Sequence, residues 1–145
     1  MFTKEEIELA PKVYEAIKKI AERQGKRWEW EPERGDWFLA GKDVGIVIDN
    51  YEVNPNVFRG IGIYPDAKKG IINWLYIHQV IPVPHWEKLE KILEKFGYFL
   101  DVDYDYHAPF CCEICDSKKQ NLSIVFGYGN TRQEAVMEAI IRLGG

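Results

Sequence analysis

Three cysteines at 111, 112 and 115, with a histidine at 107, are the densest group of metal-type ligands in the chain. Cys112 and Cys115 make a C-x-x-C pair, half of a zinc knuckle, and His107 is a third candidate ligand beside Cys111. A structural zinc site wants four ligands, usually as two spaced pairs, and no second C-x-x-C or H-x-H follows. On a strand over 109–116, Cys111 and Cys115 share a face about 13 Å apart, so chelation would require the strand to break. The other reading puts Cys112 in the core with Phe110 and Ile114, leaving Cys111 and Cys115 as free thiols on the opposite face. A thioredoxin-like redox pair lacks the helix that should follow the motif.

Just upstream, alternation places Asp101, Asp103, Asp105 and His107 on one face of a strand, with Val102, Tyr104 and Tyr106 on the other. Clustered carboxylates could hold a hard cation or do acid–base work. Their spacing of about 7 Å along the strand fits better a solvated face that discourages edge pairing. No nucleophile elbow, phosphate-binding loop, H-E-x-x-H or dinucleotide fingerprint is present. His78 lies in an apolar run, as a core or sheet histidine would, and His85 opens a helix, where positive charge is disfavoured. The expectation is a protein that is not an enzyme and needs no cofactor.

The closing stretch GYGNTRQEAVMEAIIRLGG raises a different chemistry, because helix N-termini bind anions. Thr131 and Arg132, with Lys118 and Lys119 nearby, are the candidate phosphate contacts. Thr131-x-x-Glu134 is also a capping box, which by itself accounts for the polar corner. The charge balance weighs against nucleic acid. The chain carries −4 overall, and residues 85–145 hold seven Lys/Arg against ten Asp/Glu. Affinity for a duplex comes largely from cations neutralising phosphates.

These side chains must be positioned by a chain of 145 residues, one domain's worth, in which aromatics reach 14%. No apolar run approaches the roughly 20 residues that span a bilayer. MFTKEEIELA has no apolar signal stretch, so a cytoplasmic location and no membrane partner are expected. Thr3-x-x-Glu6 caps a first helix, with a break at Pro11 and the main run over 11–24. Alternation around Trp28 and Trp30 predicts a strand, followed by strands over 37–40 and 44–48. Residues 51–70 look like a long excursion, 71–80 a buried strand, and Ile81-Pro82-Val83-Pro84 its stop. A helix over 84–96, strands over 98–106, 109–116 and 121–127, and a helix over 131–143 complete the chain. The fold class is α+β, with helices packed on an antiparallel or mixed sheet. A single domain is expected, made of a helix and meander over 1–82 and an α-β-β-β-α module over 83–145.

That module resembles the double-stranded-RNA-binding domain. Gly127, Gly129, Thr131, Arg132, Ala135 and Ala139 fit its motif, while Gln133 and Val136 stand where the family has lysines. The resemblance implies duplex binding through the helix N-terminus. A wider likeness covers most of 28–145. GDWFLAG at 35–41, IPVPHWEKLEKILEKFGY at 81–98 and GNTRQEAVMEAIIRLGG at 129–145 are similar to small phage- and prophage-encoded proteins of the phage ABA-sandwich type. It implies origin and fold, with no active residues to carry over. The leading expectation is an accessory protein that binds a protein partner or itself, with Trp28, Trp37 and Trp74 as contact anchors.

Overall fold

The computed structural model describes residues 2–51, 53–64, 72–104, 109–118 and 122–145. Within these, the chain divides into two compact units, Met1–Trp28 with His85–Gly145, and Glu29–Pro84. The fold class is α+β, with two antiparallel sheets. No helix among the described residues is long and apolar enough to cross a membrane.

In the first unit, Thr3 and Glu6 close a capping box: Glu6 N donates to Thr3 Oγ1 at 3.1 Å, and Thr3 N to Glu6 Oε2 at 3.3 Å. Helix α1 then runs unbroken over Lys4–Arg23, which corrects the expected break at Pro11. Proline removes one hydrogen bond, but Ala10, Val13, Ala16, Ile17 and Ile20 bury one continuous stripe along the helix, and that packing holds the turn together. Gly25, at φ +66°, ends it.

The rest of this unit follows the expected order. Helix α2 (Trp86–Lys95) leads into β6 (Tyr98–Tyr104), β7 (Phe110–Asp116), β8 (Leu122–Gly129) and α3 (Arg132–Gly144). The three strands form a sheet in the order β6-β7-β8. Leu89, Leu93, Cys112, Ile114, Val136, Met137 and Ile140 are fully buried. Helix α1 lies against α3 closely enough that a Cβ on Gly144 would come within 2.5 Å of Ala16 Cβ. Arg23 ties the two helices at their ends, donating to the carbonyls of Leu143, Gly144 and Gly145 at 2.8–3.0 Å. These are carbonyls that a helix C-terminus leaves without partners.

The second unit is a five-stranded antiparallel sheet. Its strands are β1 (Trp37–Ala40), β2 (Asp43–Asn50), β3 (Val57–Tyr64), β4 (Ile72–Tyr76) and β5 (Ile81–Val83), in the order β4-β3-β2-β1-β5. Four sequence expectations are corrected here. Residues 27–31 form no strand: Trp28 packs edge-on against Tyr14 in the first unit, and the buried Trp30 packs edge-on against Phe58. Trp30 Nε1 also donates to Asp36 Oδ2 at 3.3 Å, so tertiary packing rather than a ladder explains its burial. The supposed excursion contains β3, whose Gly60 and Gly62 disguised it, because glycine is a poor strand signal. β4 is an edge strand with exposed rings, not a buried one. Ile81–Val83 pairs with β1 instead of merely stopping a strand, and Pro82 is tolerated because β5 is an edge.

Candidate protein-interaction surface

Strand β4, at one edge of the second unit's sheet, carries the most exposed large rings among the described residues of that unit. Side chains two apart on a strand share a face, so Trp74 and Tyr76 on β4 project together. Trp74 is 53% and Tyr76 52% exposed. The register aligns Trp74 with Arg59 on β3 and Arg59 with Asp49 on β2, giving one cross-strand row. Arg59 Nη2 donates to Asp49 Oδ2, and its guanidinium carbon lies 5.3 Å from the centre of the Trp74 ring. Tyr51, just past the end of β2, meets Trp74 edge to face at 5.2 Å and is itself 45% exposed.

The β2–β3 connection holds Tyr51 in place. Tyr51 N donates to Val57 O at 3.2 Å, and Asn54 N to Tyr51 O at 3.2 Å. Asn56 N donates to Asn54 Oδ1 at 3.0 Å, a local turn closed by a side-chain amide. Trp74 is thus braced by an arginine and a tyrosine, and a ring held in this way would cost less to order in a contact. With Arg59 paired to Asp49, this surface is nearly neutral and predominantly aromatic. Exposed Trp, Tyr and Arg in one cluster is the composition that dominates binding energy at protein interfaces.

Of the three tryptophans expected as anchors, only Trp74 stands well out of the surface. Trp28 and Trp37 are half-buried, Trp28 against Tyr14 and Trp37 in β1 beside Val83 and Ile46. Sequence reasoning did not reach Arg59, Asp49, Tyr51 or Tyr76. No local signal marks them: Val57-Phe58-Arg59-Gly60-Ile61 does not alternate apolar with polar residues, and its glycine is a poor strand former.

Among the described candidate phosphate contacts, Lys118 is not brought to Thr131 and Arg132. Arg132 lies beside Phe110, at the start of β7, and Lys118 follows its end at Asp116. Six residues of strand place those two ends about 20 Å apart. The Arg132 guanidinium sits over the rings of Trp86, at 5.2 Å, and Phe110, at 6.0 Å. Thr131 Oγ1 accepts from Glu134 N at 3.0 Å, and Glu134 Oε2 accepts from Asn130 N at 3.3 Å, so the corner's own groups occupy each other. Lys119 and His107 lie outside the described residues.

Strand β7 separates the cysteines. Cys112 is buried on the side facing α3, and Cys111 is on the other side, half-buried. Cys115 pairs in register with Phe99 and Ser123 past a bulge at Ile114, and is buried there. None of the three is joined in a disulfide. Among the described residues no group of three His, Cys, Asp or Glu side chains is placed to hold a metal ion.

Burial pushes the Cys112 thiol up from 9.0 to about 12, with Cys111, Asp101, Cys115 and Glu113 adding to the shift. Below pH 9 the thiol is protonated whether the chain is folded or not, and the contribution is fully present. Above it, the unfolded chain ionises first, so stability falls as pH rises from about 9 towards 12. Urea unfolding on either side of pH 9 is expected to show that fall, and Cys112→Ala to lessen it. Alkylation followed by mass spectrometry should modify Cys111 in the native protein and Cys112 only after unfolding.

In comparisons with family models, curated proteins and solved structures, nothing matches this chain.

Proposed function

We propose that this is a phage- or prophage-derived accessory protein that works by binding another protein, without catalysis, through Tyr51, Arg59, Trp74 and Tyr76. The origin is supported by the likeness of the GDWFLAG, IPVPHWEKLEKILEKFGY and GNTRQEAVMEAIIRLGG segments to such proteins. The binding role is carried by one observation: an edge-strand tryptophan more than half exposed, yet held by Arg59 and Tyr51. Leaving such a ring in water forgoes the burial that would stabilise the fold, and a partner surface recovers it.

Affinity capture from a bacterial lysate, with wild-type and variant chains immobilised in parallel, tests this reading. Trp74→Ala is expected to weaken retention of a specific partner by about 30-fold or more, the effect of removing a central anchor. Arg59→Ala should weaken it as well, while the unfolding midpoint changes little for Trp74→Ala. If the partner is a second copy, sedimentation will show a concentration-dependent dimer that Trp74→Ala abolishes. Retention of the same proteins by both variants at wild-type levels, with no dimer, would reject the proposal.

A further inference from the structure

The outer face of the β6-β7-β8 sheet is a second surface, independent of the one just described. Helix α3 covers the inner face, where Gly127 and Gly129 admit it. On the outer face the register sets Asp101 beside Glu113 and Glu113 beside Phe126, then Asp103 beside Cys111 and Cys111 beside Tyr128. The bulge at Ile114 adds Ile124 to the same side. The result is graded across three strands. Asp101 and Asp103 are exposed on β6, whereas Ile124, Phe126 and Tyr128, each 38–42% exposed, line β8. Among the described residues no cation forms an ion pair with Asp101, Asp103 or Glu113.

We propose that this face docks a short, basic, amphipathic helix of a partner protein. Charge sets the sign: carboxylates on one flank call for lysine or arginine, and the apolar stripe calls for an apolar ridge. Size fits a single helix. Two strand spacings put the acidic row about 10 Å from the aromatic one, a helix diameter. Ile124 to Tyr128 spans about 13 Å, close to the reach of helical positions i to i+7. A second copy fits badly, because the face measures about 300 Å² against the ~800 Å² per partner of a stable interface, and acid would meet acid. An added strand is opposed at the β8 edge, where Arg142 Nη1 donates to Phe126 O at 3.0 Å and its guanidinium lies over Tyr128.

The test uses the full chain labelled with ¹⁵N and two synthetic peptides with leucines at helical spacing, one with lysines between them and one with glutamates. The lysine peptide is expected to shift amides clustered at 101–103, 111–113 and 124–128, and the glutamate peptide to shift none. Asp101→Asn with Asp103→Asn should weaken the lysine peptide about tenfold, as should Phe126→Thr. Glu5→Gln with Glu8→Gln, the same charge change on the exposed side of α1, should leave affinity unaltered. Absence of binding, shifts scattered over α1 or the second unit, or equal weakening by the α1 pair would each overturn the proposal. So would a dimer in sedimentation that Phe126→Thr dissolves, which would make the occupant a second copy.

Discussion

Gly127→Ala is expected to destabilise the protein by about 3 kcal/mol, the upper end of overpacking costs, measured as a fall in the urea midpoint with an unchanged slope. A Cβ at this position would collide with the backbone of α3, meeting Ala135 O and Ala139 N and standing 2.7 Å from Ala139 Cα. None of these three atoms belongs to a flexible side chain that could turn away, so the helix itself would have to lift from β8. Lifting it would loosen Val136, Ala139 and Ile140, the fully buried residues of the helix's own inner face. Gly62→Ala is the control, because a Cβ there meets nothing within 4 Å, and a change within about 0.5 kcal/mol is expected. Equal effects at the two positions would mean that backbone entropy, not helix approach, governs Gly127.

The same glycine shows what could be read from sequence and what could not. The S/T-x-x-E boxes at Thr3 and Thr131 mark helix starts by a local mechanism, side chain to backbone within one turn, and both starts are found where the spacing put them. Gly25 and Gly97, each at positive φ, mark helix ends equally locally. The Gly127-Tyr128-Gly129 stretch, which the structure places at the end of β8, is legible as a motif but not as a cause. Its glycines give α3 room against β8, and that depends on a helix arriving from elsewhere in space.

β3 and the edge position of β4 were hidden for the same reason. Phe58 and Gly60 form a sensible strand only once Phe38 is known to fill the space above Gly60, and no local pattern carries that information. The exposure of Trp74 likewise follows from strand order in the sheet, which alternation along one strand cannot specify. The row Asp49–Arg59–Trp74 therefore emerges from register, as the acidic-to-aromatic grading of the β6-β7-β8 face does.

The largest effect in the second unit is expected at Phe38. Phe38→Ala should cost about 3–5 kcal/mol, the usual range for emptying a buried phenylalanine site. Phe38 is 3% exposed, packs edge-on against Phe58 at 5.1 Å, and Phe58 in turn meets Trp30 at 5.4 Å. Its ring occupies the space left by two missing side chains, since a Cβ on Gly45 or Gly60 would run into it. Gly60→Ala alone should therefore cost about 1–3 kcal/mol by overpacking. The two changes together should cost less than their sum, by about 1–2 kcal/mol, because the new methyl enters the cavity that the lost ring leaves. Urea unfolding of the four proteins in the cycle measures the coupling, with tryptophan fluorescence reporting on the cluster through Trp30. Strict additivity would show that Gly60 is glycine for its backbone rather than for the ring above it. Coupling of the expected sign would establish that one large residue and two absent side chains are a single packing unit, the unit on which β3, and with it Arg59, is laid down.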